Sequence, residues 1–214
     1  MTFAVLLLSA LATAGSPAPS FAERAQHAYS HQDADSLRTL LRTADSQSDS
    51  LLVRYRLYPL TEDAALLENL PRRLDEGSAR DWALLSGLWS YRAGEASFFG
   101  AIDHGRHSAE LLEQAQRRDP DAPYVLLIGG QSLLFRPSIA GKDPDEAVER
   151  FRHLARLAKQ DATDGIPPIE AQVWLWLALR EADRHERARR LRDPLLQDNP
   201  PPLYRQFLES PPDV

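Results

Sequence analysis

The chain has 214 residues, 43% hydrophobic and 26% charged, which is enough for one sizeable core or one continuous solenoid. A net charge of −6 argues against a non-specific nucleic-acid binder, because affinity for phosphate needs clustered positive charge. The absence of cysteine excludes disulfides, thiolate metal sites, cysteine nucleophiles and cysteine lipidation.

Phe3 to Ala12 is apolar and uncharged and runs into Ala12-Thr13-Ala14. A short apolar stretch ending in this way reads as a cleavable secretory signal over 1–14, although no Lys or Arg precedes it. The competing reading is the buried first helix of a cytosolic protein. No other segment approaches the ~20 apolar residues that cross a bilayer. The expected mature chain is therefore periplasmic or secreted, with no integral membrane segment.

Gly15 to Pro19 reads as a linker, and Ser20 with Glu23 as a capping box opening a helix over Phe21 to His31. Ser36 to Ala44 forms a second helix after the turn Asp33-Ala34-Asp35. Leu51 to Leu57 forms a third, stopped before Pro59, and Asp63 to Leu74 a fourth, divided at Pro71. Ser78 with Asp81 is a second capping box, ahead of Trp82, Leu85 and Trp89 at helical spacing. Ser97 to Arg118 continues as helix to the stop at Asp119-Pro120.

Tyr124 to Phe135 is almost wholly apolar and suits a buried strand or a buried helix. Gly129-Gly130 decides for helix, since adjacent glycines weaken a strand and suit two helices crossing closely. Asp143-Pro144-Asp145-Glu146 is the best helix start in the chain: a cap, a proline in first position, then two acids in the first turn. Pro168 to Ala182 and His185 to Gln197 make a last pair. Residues 201–214 are expected to form a tail with one further helical turn.

Small residues with apolar partners recur at Ser108, Leu112, Ala115 and Pro120, then at Ala147, Phe151 and Leu154, then at Ala188, Leu195 and Pro200. The steps of 39 and 41 residues read as stacked antiparallel helix pairs in an all-α chain. The expected organisation is a leader over 1–14, an N-terminal helical segment over 20–76 packing on the repeats, three helix pairs over 78–200, and the tail.

These residues resemble the tetratricopeptide repeat, here with Ser86 where glycine is usual and with units near 40 residues rather than 34. The resemblance implies a right-handed α-α superhelix. The segment from Gln131 to Pro137, with Ala140-Gly141 and Asp143, is similar to a loop of exported bacterial tetratricopeptide-like proteins, in particular the helical-repeat periplasmic component of tripartite solute transporters. This implies an accessory or scaffold protein of the cell envelope and supplies no catalytic residues.

Two histidine pairs draw attention to metal chemistry. His27 and His31 are four apart, and His104 and His107 three apart beside Asp103. Neither pair has a third ligand in sequence, and solvated surface histidines are the simpler reading. No G-x-S-x-G elbow and no phosphate loop is present. Trp174 and Trp176 point to nearly opposite sides of one helix, so either both are buried, the simpler reading, or one is core and the other faces a groove as a binding anchor. Arg54-Tyr55-Arg56-Leu57-Tyr58 interleaves cations and aromatics, as a recognition strip or as structural packing.

The reading that follows is a non-catalytic protein–protein or protein–peptide module with no cofactor and no bound metal. Its partner contacts are expected from exposed Trp89, Arg92, Gln131, Phe135 and Arg136. The alternative is a solute-binding transporter accessory with a cavity lined by Trp and Tyr. A metal-dependent enzyme using His104 and His107 ranks below both.

Overall fold

A computed structural model describes residues 18–160 and 162–214. The expected leader over 1–14 lies outside the described residues. Those residues form ten α-helices and two 3₁₀ turns, with no strand among them. The helices are α1 (Phe21–Ser30), α2 (Ala34–Arg42), α3 (Gln47–Thr61), α4 (Ala79–Glu95), α5 (Phe98–Arg118), α6 (Pro123–Phe135), α7 (Pro144–Ala158), α8 (Pro168–Glu181), α9 (His185–Gln197) and α10 (Pro202–Glu209). The chain is all-α.

Local chemistry sets most of the helix starts. Ser20 and Glu23 bond each other's backbone N–H groups, as do Ser78 and Asp81, so orphan amides at both N-termini are satisfied. The Asp143 carboxylate accepts from the Glu146 N–H at 3.0 Å, with Pro144 opening α7. The apolar run from Tyr124 is helix α6, as its two glycines indicate.

Three segments depart from the sequence reading. Asp63 to Leu74 is not a helix: only Ala64–Leu67 makes a 3₁₀ turn, Glu68 is extended, and Asn69 takes a left-handed φ of 51°. Leu66, Leu67, Leu70 and Leu74 are nevertheless buried, as apolar anchors of an irregular strap. Helix α3 runs through Pro59, whose missing N–H leaves the Tyr55 carbonyl without its helical donor. Residues after Pro201 are not a loose tail: α10 buries Tyr204 and Leu208 against α1 and α8.

Helices α4 and α5, α6 and α7, and α8 and α9 pack as pairs. The α4–α5 pair is antiparallel. Ser86 meets Ser108 in the middle of it, while Trp82 near the start of α4 lies under Arg118 at the end of α5. Ser108 occupies the contact, its hydroxyl donating to the Ser86 carbonyl at 2.8 Å and meeting the Ser90 hydroxyl at 3.0 Å. Ala147 and Ala188, the matching positions of the next pairs, are buried as well. A side chain of this size lets the axes approach closely.

The inner helices close on themselves. Helix α1 touches α3, α3 touches α4, then α6, α8 and α10 follow in turn, and α10 returns to α1. Helices α5 and α9 pack outside against the inner helices that precede them, and α7 packs between α6 and α8. The inner helices run the same way: Tyr124, Glu170 and Tyr204 in the first turns of α6, α8 and α10 converge on Arg56, while the later turns of α3, α4, α6 and α10 line one pocket.

The glycine pair of α6 gives a test of close packing. A Cβ on Gly130 would stand 2.4 Å from the Phe151 ring, which is fully buried, whereas a Cβ on Gly129 meets the movable end of Arg150. Helix propensity favours Ala over Gly by up to ~1 kcal/mol, and overpacking a core costs ~1–3 kcal/mol. Chemical denaturation is expected to show Gly130→Ala destabilised and Gly129→Ala unchanged or slightly stabilised.

Candidate functional site

A charged pair lies on the axis of the ring. Arg56 of α3 and Glu170 of α8 form a two-pronged ion pair, with both side chains buried. Tyr204 of α10 donates to Glu170 at 3.2 Å and Gln26 of α1 donates to the Tyr204 hydroxyl at 2.5 Å. The guanidinium lies over Tyr29 of α1 at 4.6 Å and over Tyr124 of α6 at 5.7 Å. Burial opposes its charge, but Glu170 and the surrounding tyrosines more than offset this and hold Arg56 well above the usual arginine range. Glu170, Tyr124 and Tyr204 all sit in first turns of their helices, where the backbone dipole favours the carboxylate.

Toward the other end, the ring opens into a pocket of about 910 Å³. Tyr55, Tyr58 and Tyr91 form one wall. Tyr91 stacks with Tyr55 at 5.6 Å and with Tyr58 at 4.7 Å. Trp174, Phe207 and Phe135 form the opposite wall, with Trp174 meeting the other two edge-on at 4.9 and 6.2 Å. Gln32 donates to Gln206 at 2.5 Å where α1 meets α10. Tyr55 donates to the Gln131 side-chain oxygen at 2.5 Å, and Tyr58 to the Glu95 carboxylate at 2.5 Å. Tyr29 and Tyr55 belong both to the pocket lining and to the cage around Arg56, so the ion pair lies beneath the pocket floor.

Gly87 is essential to this wall. A Cβ there would stand 2.7 Å from the Tyr55 ring, so only glycine lets the ring lie flat on α4. Burial pushes Tyr29 up to about 12 and lifts Tyr91 well above the tyrosine range. Burial, and then the bond to Glu95, raise Tyr58 also. At neutral pH these phenols are uncharged. The lining therefore offers aromatic faces, hydroxyl donors and side-chain amides.

The residues expected at a binding surface divide. Gln131 and Phe135 line the pocket. Arg136 follows them but bends back on Ser132, donating to its carbonyl at 2.9 Å and its hydroxyl at 2.8 Å. Trp89 is not exposed: it is 4% accessible, and its indole donates to the Pro71 carbonyl at 3.1 Å. The strap over residues 64–74 covers it, which periodicity on α4 alone does not show. Arg92 lies over the Trp89 ring at 5.0 Å and reaches the Leu67 carbonyl, so it holds the strap and is not part of the pocket.

His104 and His107 stand edge-on to Trp89 at 5.2 and 4.6 Å, and His27 and His31 tilt against each other at 4.2 Å. Among the described residues no group of three or more His, Cys, Asp or Glu side chains converges on a metal-sized site. Trp174 and Trp176 are both buried. The strip from Arg54 to Tyr58 separates into three uses. Arg54 donates to the Leu66 and Glu68 carbonyls at 2.7 and 2.6 Å, Arg56 forms the axial pair, and Tyr55 and Tyr58 face the pocket.

Sequence reasoning passes over Tyr29, Tyr91, Gln206, Phe207 and the Arg56–Glu170 pair. One signal was present: Glu170 is the single charge in the apolar run from Ile166 to Leu179, where it needs a buried partner.

No family model, curated protein or solved structure matches the chain.

Two outcomes follow from the axial pair and its tyrosines. Glu170→Gln or Arg56→Met leaves one charge buried and unpaired and is expected to cost ~3–5 kcal/mol in urea unfolding, whereas the double variant Arg56→Met with Glu170→Leu is expected to recover much of that loss. Alkali acts through Tyr29, whose native value of about 12 lies above the ordinary 10.0. The unfolded chain gives up this proton first, so stability is intact below pH 10.0 and declines from there through about pH 12. Circular dichroism and tyrosinate absorbance recorded together should show helix loss and phenol ionisation as one transition.

Proposed function

We propose that this chain is a non-catalytic binding protein built from tetratricopeptide-like helix pairs, and that a solute-sized ligand occupies the central pocket. The observation that carries this reading is the aromatic-walled pocket with its floor closed by a buried ion pair. Its volume of about 910 Å³ falls in the roughly 300–1,000 Å³ range of small-molecule sites. A blind floor suits a compact ligand or a chain end better than a threaded peptide. The near-40-residue period and the sorting of helices into inner and outer layers support a right-handed superhelical winding of the pairs. The leader pattern at 1–14 supports action on the far side of a membrane.

A second reading, a protein-docking module of the envelope, draws on a different observation. Phe98, Phe99 and Ile102 at the start of α5 are 74%, 82% and 47% exposed, and clustered apolar side chains of this kind mark interaction surfaces.

A thermal-shift screen against amines, amino acids, organic acids, sugars and nucleosides tests the first reading. A ligand at a hundred times its Kd is expected to stabilise the protein by ~2.7 kcal/mol. The shift should vanish in Phe135→Ala and Gln131→Ala. A screen without a shift, or a shift indifferent to both substitutions, removes the pocket as the site.

A further inference from the structure

The pocket wall carries charge of one sign. Among the described residues its lining holds a single charged side chain, Glu95, whose carboxylate accepts from Tyr58. Tyr55, Tyr58 and Tyr91 stand beside it as a stacked set, and the π faces of such rings are negative. The inner helices add to this. Pocket residues come from the C-terminal ends of α3, α4, α6 and α10, where each helix carries partial negative charge. The cation beneath the floor is cancelled by Glu170. Arg136 beyond the rim is turned onto Ser132 and lies near Asp143 and Arg150, outside the lining.

We infer that the ligand is an organic cation, an ammonium group on an apolar body. This rests on the pocket being a ligand site, as proposed above. The ammonium lies against Tyr55, Tyr58 and Tyr91 beside Glu95, and the apolar body extends toward Trp174 and Phe207. A cation over an aromatic face in a partly desolvated site gains energy that a neutral group of the same shape does not. Among the described residues the wall has no side-chain cation to pair with a carboxylate or phosphate, so an anion is disfavoured there.

Two probe pairs isolate charge from shape in a tryptophan-fluorescence or NMR titration of the full chain. Choline is compared with its neutral isostere 3,3-dimethylbutan-1-ol, and benzyltrimethylammonium with 3-phenylpropionate. Each cation is expected to bind ~10-fold or more tightly than its counterpart. Glu95→Gln is expected to weaken both cations ~10-fold while leaving the neutral probe unchanged. Glu95 is exposed and Gln keeps an acceptor for Tyr58, so this variant is expected to keep the helix content of the parent by circular dichroism. Tyr91→Leu should act in the same direction. If it loses helix by circular dichroism, Glu95→Gln alone decides.

Equal or tighter binding of the neutral or anionic probe, or cation binding unaffected by Glu95→Gln, overturns the inference and leaves the pocket reading standing. The same holds if no cation binds but a solute of other chemistry does, in a manner sensitive to Phe135→Ala. If neither the probes nor the broader screen bind, both readings fall.

Discussion

The Arg56–Glu170 pair is the constraint around which the molecule is arranged. Taking both charges out of water carries a desolvation cost of several kcal/mol per ion, recovered only through close geometry and additional hydrogen bonds. That requirement recruits groups from the other inner helices: Tyr204, Gln26 behind it, and the faces of Tyr29 and Tyr124. Arg80 of α4 also lies over the Tyr124 ring, at 5.2 Å. The two-pronged ion pair adds a directional contact between α3 and α8 to the apolar packing of the inner helices.

The pocket inherits its geometry from that setting. Tyr55 and Tyr58, three residues apart on α3, share the face that lines the pocket above the pair. Gly87 then allows α4 to approach the Tyr55 ring, and Tyr91, one turn further along α4, completes the stack. The opposite wall depends on α10. Phe207 meets Trp174, while Tyr204 one turn earlier joins the axial network, so one short helix holds the floor and the wall together.

Features encoded within a few residues were legible in the sequence. The Ser20–Glu23 and Ser78–Asp81 boxes and the Asp143-Pro144 start each act over three or four positions and form as read. The helical state of α6 followed from Gly129-Gly130, and the small residues at 108, 147 and 188 lie buried in their helices. What escaped depends on distant pairing. The axial ion pair joins residues 114 apart, and neither partner signals the other. The strap over 64–74 has the leucine spacing of a helix, but Asn69 and Pro71 break the backbone pattern, and its burial comes from α4. Trp89 stands at helical spacing on α4, but its cover comes from Pro71 in the strap, which spacing on α4 does not reveal. The pocket was half legible: Gln131 and Phe135 were marked by a loop resemblance, while Tyr91 and Phe207 took on meaning only once α4 and α10 faced each other.

Contact between α1 and α10 has a consequence for how this architecture varies and melts. An open array of helix pairs lengthens or shortens one unit at a time, with special terminal units shielding its ends. A circle of inner helices has no such freedom. Adding one pair widens the circumference, pulls the central arginine away from its acid and opens the floor. Loss of the α1–α10 contact would loosen the floor and the pocket wall together, since α10 carries both Tyr204 and Phe207.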